Sequence, residues 1–277
     1  MRTTGGKTTE CRLAEGAFER VEFLGSCEPL PTLEKSLASE SGLLGDMLQL
    51  LAESYEGRLA GLAAGKFFRR SSPYLCQICN GTGKLMLPVG LQANVTACPA
   101  CAGCRLDRRI LHFKLKDHRL QDILGRSVDQ AADLFADASR CSKRLELLQQ
   151  FKFGDLRLGC CLLEMSYAEQ QRLRIYNFIT SRSTKRSSRV RSVPAAKTCL
   201  FLLDYPFVGL GSRESAVCLD CLRPYMAAGH SFVISDNRSK VLRTCDMVYR
   251  TSCEVDSRPG RVYNIESPSR RGVLNRL

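Results

Sequence analysis

Four cysteines are spaced as metal ligands: Cys76-x-x-Cys79, then 18 residues, then Cys98-x-x-Cys101. Two residues between paired thiols let both sulfurs reach one ion from a tight knuckle, and the excursion returns a second knuckle that completes a tetrahedron. Asn80-Gly81-Thr82-Gly83 after the first pair, and Gly103 after the second, supply the positive φ values that such knuckles need. One structural Zn²⁺ is the expected occupant. Four thiolates around it leave a charge of about −2, which Lys84, Arg105, Arg108 and Arg109 can offset. The alternative is a set of free or buried thiols. Cys104 is a competing ligand whose spacing fits worse, and Cys218-x-x-Cys221 falls inside an expected helix, where both thiols should pack.

The elements that must carry these residues read as α/β. Val21–Leu24 is a short strand, and Ser26–Ser41, with Pro29 and Pro31, is a loop. Leu43, Leu44, Met47, Leu48, Leu50 and Leu51 recur at helical spacing after Gly42. Gly57–Tyr74 reads as loop. Leu120–Leu124 and Val128–Ala136 read as short helices, the second capped by Ser127. Leu145 to Phe151 and Gln170–Ile179 give two more, and Ser181–Ser192 (SRSTKRSSRVRS) a basic mobile loop. The continuous apolar run Cys199–Leu203 suits a buried parallel strand. A helix at Arg213–Ala227 with Pro224 inside, a stop at Gly229 and a strand at Ser231–Ser235 continue the alternation. The tail after Ser257 is expected to fray.

The chain has 277 residues, 15 cysteines, no tryptophan and a formal charge of +13. The basic surplus suits a polyanionic partner, because neutralised phosphates release their counterions; a soluble basic surface is the other reading. Met1 to Arg20 lacks the apolar run of a signal peptide, and no stretch is long and apolar enough to span a membrane. The expectation is a cytoplasmic protein with reduced thiols, some of them metal ligands.

Cys76–Gly83 (CQICNGTG) and Cys98–Arg105 (CPACAGCR) resemble the zinc hairpin in the C-terminal ABC half of UvrA, the damage-recognition ATPase of bacterial nucleotide excision repair. The resemblance extends over nearly the whole chain in family order. Leu120–Leu124 and Ser127–Phe135 resemble connecting helices. Met165–Arg172 (MSYAEQQR) sits where the family has its signature LSGGEAQR. Leu200–Leu210 (LFLLDYPFVGL) resembles the Walker B and D-loop stretch LYILDEPTTGL, and Val233–Asn237 (VISDN) falls on the switch strand VIEHN. Val21–Gly42 and Gly57–Phe67 align as a worn Q-loop region. A chaperone cofactor of the DnaJ type shares the knuckle chemistry, but needs more such repeats and no LFLLD strand.

The resemblance implies an ABC-ATPase-like α/β domain with an inserted zinc hairpin and a helical signature subdomain, and the residues depart from it at the nucleotide. A P-loop needs GxxxxGK[ST]; Gly5-Gly6-Lys7-Thr8 is the one candidate and reads as a chance match or relic, so no intact P-loop is expected. Ser26 stands at the Q-loop glutamine. Asp204 remains where Mg²⁺ would be held through water, but Tyr205 replaces the catalytic glutamate, and a phenol is a poor general base at neutral pH. Asp236 stands at the switch histidine. Ser166 and Glu169 of the signature remain, while its glycines are Tyr167 and Ala168.

The expected organisation is residues 1–75 as the N-terminal part of the core, 76–112 the zinc hairpin, 113–164 a helical subdomain, and 165–277 the C-terminal part of the core. The resemblance implies Zn²⁺, and ATP with Mg²⁺, as cofactors. It implies double-stranded DNA, a UvrA-like homo- or heterodimer partner and a UvrB-like protein as partners. Arg105, Arg108, Arg109 and Lys114 are expected phosphate contacts, unless the arginines only offset the thiolate charge. Arg182, Lys185, Arg186, Arg189 and Arg191 of the basic insertion can bind phosphates with little sequence choice, or be a solvated loop. The readings are a UvrA-like DNA-binding protein deficient in hydrolysis, a pseudo-ATPase that pairs with a full-length UvrA-like protein, or an eroding copy.

Overall fold

In the computed structural model, residues 18, 20–25, 35–68, 72–89, 92–184, 198–251 and 262–265 are described. They fall into two compact units. One comprises Met1–Ser26, Arg191–Val208 and Leu222–Leu277; the other comprises Cys27–Val190 and Gly209–Cys221.

In the first unit, three short runs carrying aliphatic and aromatic residues pair as a parallel sheet. Cys199–Asp204 lies between Arg20–Leu24 and Ser231–Ser235. The register stacks Glu22, Phe201 and Phe232 on one face, where the two phenylalanine rings stack at 4.8 Å. The expected parallel strand therefore forms, one residue longer than its apolar run. The helix Ser212–Ala227, of which only the part from Leu222 belongs to this unit, contains Pro224, and Gly229 ends it at φ +91, where L-residues are strained. His230 then accepts the Cys199 N–H on Nδ1 at 3.2 Å, which ties the start of the central strand to the loop before the edge strand. Of the tail after Ser257, the described residues depart from expectation. Val262–Ile265 does not fray but pairs antiparallel with Val248–Thr251, an alternation of Val, Tyr and Thr that suits a ladder.

The second unit is helical, with the cysteine hairpin set into it. The helix Leu43–Glu53 buries Leu43, Leu44, Met47, Leu48 and Leu51 along one stripe. Arg144, on the helix Ser139–Gln150, donates from Nε to Asp46 at 2.6 Å and from a terminal nitrogen to the Ser41 carbonyl at 2.9 Å. That fork joins the two helices across Gly42, whose φ is +81. Leu120–Leu124 and Val128–Leu134 are helical as expected, and Ser127 forms a reciprocal capping box with Gln130.

Three helical pieces lie in stretches expected to be loop: Leu37–Glu40, Tyr55–Leu59 and the 3₁₀ turn Ala64–Lys66. Ser36 and Ser54 cap the first two, a local signal too short to register as periodicity. The helix expected at Gln170–Ile179 runs from Tyr167 to Thr184 and so takes in the first residues of the serine/arginine segment. Its Tyr176 ring meets Phe151 edge-on at 5.7 Å in the core. No helix among the described residues is long and apolar enough to cross a membrane.

Candidate metal centre and its basic rim

The excursion between the two cysteine pairs is a β-hairpin, Lys84–Val89 against Gln92–Ala97 in antiparallel register. Its base pairs Lys84 with Ala97, which brings the knuckle before the first strand beside the knuckle after the second. The Cys98 N–H donates to the Gly83 carbonyl at 2.9 Å, and Cys76 N–H to the Arg105 carbonyl at 2.8 Å, so each pair is stitched to the other's flank. Asn80 (φ +50), Gly81 (+70) and Gly83 (+83) turn the first knuckle, and Ala102 (+46) and Gly103 (+77) turn the second.

Within this frame Cys76, Cys79, Cys98 and Cys101 are buried, at 5 % exposure or less, and their sulfurs all lie within 4.8 Å of one another. Cys76 to Cys98 is 3.9 Å and Cys79 to Cys101 is 3.7 Å. A tetrahedron with Zn–S bonds of about 2.3 Å has edges of about 3.8 Å, so the donor set fits zinc in size as well as chemistry. Burial pushes the Cys101 thiol up, against the Arg105 backbone N–H that favours its thiolate, and the three neighbouring thiols push it further. Burial therefore favours the neutral thiol at Cys101, and a cation at the centre would stabilise its thiolate. The Gly83 N–H points at the Cys79 sulfur at 3.2 Å and lends that thiolate a hydrogen bond.

Cys104 stands outside this group. Burial carries its thiol up to about 12, the Ser36 side chain bonds it and Cys161 lies close by. Its N–H donates to the Cys101 carbonyl at 2.8 Å, and its sulfur is not among the four that converge. Cys218 and Cys221 are buried in the helix Ser212–Ala227, and burial raises both.

The basic rim divides by role. Arg105 donates from Nε to the Gly81 carbonyl at 2.7 Å and lies over the Phe68 ring at 5.5 Å, so it buttresses the first knuckle. Arg109 donates to Asp107, the N-cap of the helix Arg108–Leu111, at 2.9 Å. Arg108 and Lys114 are exposed. Phe68 was hidden from sequence reasoning inside a stretch read as loop; the pair Phe67-Phe68 before the first knuckle was its signal. Arg182 lies in the helix ending at Thr184, while Lys185, Arg186, Arg189 and Arg191 lie outside the described residues, as do Lys7 and Ser26.

The motif positions of the ABC comparison carry local contacts instead of open donors. Ser166 and Glu169 bond each other: the Ser166 N–H and hydroxyl donate to the carboxylate at 2.7 and 2.8 Å, a capping box for the helix Tyr167–Thr184. The Tyr167 ring lies so close on Gly209 (φ +77) that an added Cβ would stand 2.2 Å from it. Tyr205 follows the strand residue Asp204 with φ +43, its N–H bonded to the Ser235 carbonyl at 3.0 Å. Asp236 accepts from the Arg238 backbone N–H at 2.9 Å and from its guanidinium at 3.0 and 2.7 Å. Against its burial, these bonds hold the Asp236 carboxyl below the usual range. Arg238 in turn lies over Phe207 at 5.5 Å. The Asp-x-Arg spacing is the sequence signal for this lock.

No family model matches the chain. It is 25 % identical over 226 residues to UvrABC system protein A of Clostridium acetobutylicum, covering 81 % of this chain and 23 % of that protein. Against UvrABC system protein A of Deinococcus radiodurans it is 22 % identical over 274 residues, covering 95 % and 25 %. The crystal structure of UvrA2 from Deinococcus radiodurans matches with a TM-score of 0.66 at 25 % identity, over 84 % of this chain and 27 % of that one. The chain thus spans about a quarter of the length of the relatives it matches.

Proposed function

We propose, from distant homology to UvrA over most of the chain, that this is a UvrA-like DNA-binding protein of the nucleotide excision repair type that does not hydrolyse ATP by itself. The observation that carries the DNA reading is the buried four-cysteine centre with cations around it in a chain of charge +13. Cys76, Cys79, Cys98 and Cys101 would hold zinc in a closed, structural site with no open position for substrate. The metal supplies rigidity there, and Arg105 passes that rigidity to the adjacent surface through its bond to Gly81. Arg108 and Lys114 then offer exposed charge to phosphates, with little sequence choice.

Three features support the absence of hydrolysis. A carboxylate is missing at Tyr205; Asp236, an anion, is held by Arg238; and the Tyr167 ring covers Gly209. Losing a general base alone costs about 10²–10⁴ in rate. The same features support a second reading, in which the chain regulates a full-length UvrA-like partner as a pseudo-ATPase.

Two titrations test the proposal. DNA affinity should fall steeply with salt, as counterion release requires, and a flat response would remove phosphate contacts from the account. Mg²⁺-dependent ATP binding that is lost in Lys7→Ala would overturn the reading of the Gly5–Thr8 stretch.

A further inference from the structure

Phe67 and Phe68 precede the first knuckle and differ in burial. Phe67 is 1 % exposed and packs on Tyr74 with ring centroids 4.9 Å apart, while Phe68 is 37 % exposed. A single exposed apolar side chain needs no explanation. This one, however, is held in a fixed pairing. The Arg105 guanidinium lies 5.5 Å from the Phe68 centroid, within cation–π range, and its Nε is bonded to the Gly81 carbonyl of the zinc knuckle. Arg105 takes up a left-handed backbone, φ +70, to reach both. Its carbonyl also accepts the Cys76 N–H, so the residue is gripped from both its backbone and its side chain. The pair is therefore anchored at one end by a buried aromatic and at the other by the metal-ligand loop.

We propose that Phe68 and Arg105 form a stacking platform for one unpaired base of a nucleic acid. The proposal rests on the DNA-binding reading above and names what that surface would select. Aromatic rings and guanidinium groups are the two side-chain types on which splayed bases stack. Lys66 and Arg108 are exposed within the same segments and attract the flanking phosphates. A paired duplex hides its base faces, so the platform adds nothing there. A bulge or single strand offers them. Phosphate contacts then set the overall affinity, and the platform sets the preference for disrupted DNA.

The test uses the full chain and two DNA probes of equal length: a paired duplex, and the same duplex carrying one bulged 2-aminopurine. The wild-type protein should bind the bulged probe about tenfold more tightly and quench its fluorescence by stacking. Phe68→Leu, which keeps the apolar bulk and the zinc content, should reduce the preference to about twofold or less and lose the quenching. Its affinity for the paired duplex and its salt slope should not change. Salt-dependent binding with equal affinity for both probes overturns the platform and leaves the DNA reading standing, as does a Phe68→Leu variant that keeps preference and quenching. Salt-independent binding, or none, to either probe overturns both.

Discussion

Replacing Cys98 by serine removes one corner of the sulfur tetrahedron. Cys98 is fully buried, its sulfur is 3.9 Å from that of Cys76, and its N–H closes the base of the hairpin on Gly83. A structural zinc site contributes about 10–16 kcal/mol of apparent binding free energy, against about 5–15 kcal/mol for a whole domain. The hairpin and both knuckles should therefore lose their fold in Cys98→Ser, with hydrogen exchange across Leu75–Leu106 rising to unprotected rates. Metal analysis should find about one zinc per wild-type chain and none in the variant. Cys104→Ser is the control and should keep its zinc, because that thiol faces Ser36 and Cys161. The pH dependence follows from the same geometry. Burial, chiefly, raises Cys101 in the metal-free centre, so zinc must displace thiol protons as it binds. Affinity should climb as pH rises. A wild-type chain without zinc, an affinity indifferent to pH, or a Cys104→Ser variant that loses the metal would each refute this reasoning.

Cys218, carried up to about 12 chiefly by burial and by Cys221 against the pull of Arg172, favours the protonated fold. Stability should be full below the unfolded thiol's pKa of about 8.5 and fall by up to about 1.4 kcal/mol per pH unit as pH rises toward 12, a slope that Cys218→Val should flatten in a Tm series. Gly209→Ala should destabilise by about 1–3 kcal/mol through φ +77 and the Tyr167 ring. In a double-mutant cycle, Tyr167→Ala should recover the part due to the ring, and strict additivity would dismiss the contact. Tyr205→Gly should stabilise by up to about 1 kcal/mol in chemical denaturation by relieving φ +43. Tyr205→Glu should not confer ATP hydrolysis in a phosphate-release assay.

Much of the architecture was legible because it rests on short-range patterns. The leucine stripe from Leu43 to Leu51, the Ser127–Gln130 box and the apolar run Cys199–Leu203 each declare one periodicity or cap, and each forms at its expected place. The cysteine centre was legible for a different reason: ligand spacing is a geometric requirement, so sequence distance alone implies convergence. What escaped depends on contacts between distant residues. The ladder of Val248–Thr251 with Val262–Ile265 needs a partner across ten residues, and the helix Tyr55–Leu59 is held by one serine cap instead of a long stripe. Arg105 could be read from sequence as a free phosphate contact, because nothing local shows that its guanidinium is already committed to Gly81 and Phe68.

The same distinction bears on the proposed absence of ATP hydrolysis. A residue change that merely deletes a catalytic group leaves its site open, and one back-substitution can then restore much of the function. Here the replacement residues have acquired structural partners. Asp236 is forked by Arg238, which itself lies over Phe207. The Ser166 hydroxyl is bonded to Glu169, so the two retained signature residues satisfy each other at a helix start. Tyr167 fills the space above Gly209, and Tyr205 occupies a left-handed backbone position that a glutamate would find just as strained. On the proposed reading, each contact engages a group that a nucleotide phosphate or its attacking water would meet. On that reading, hydrolysis would require removing several of these partners together, and single substitutions toward the family residues should return stability changes with no turnover.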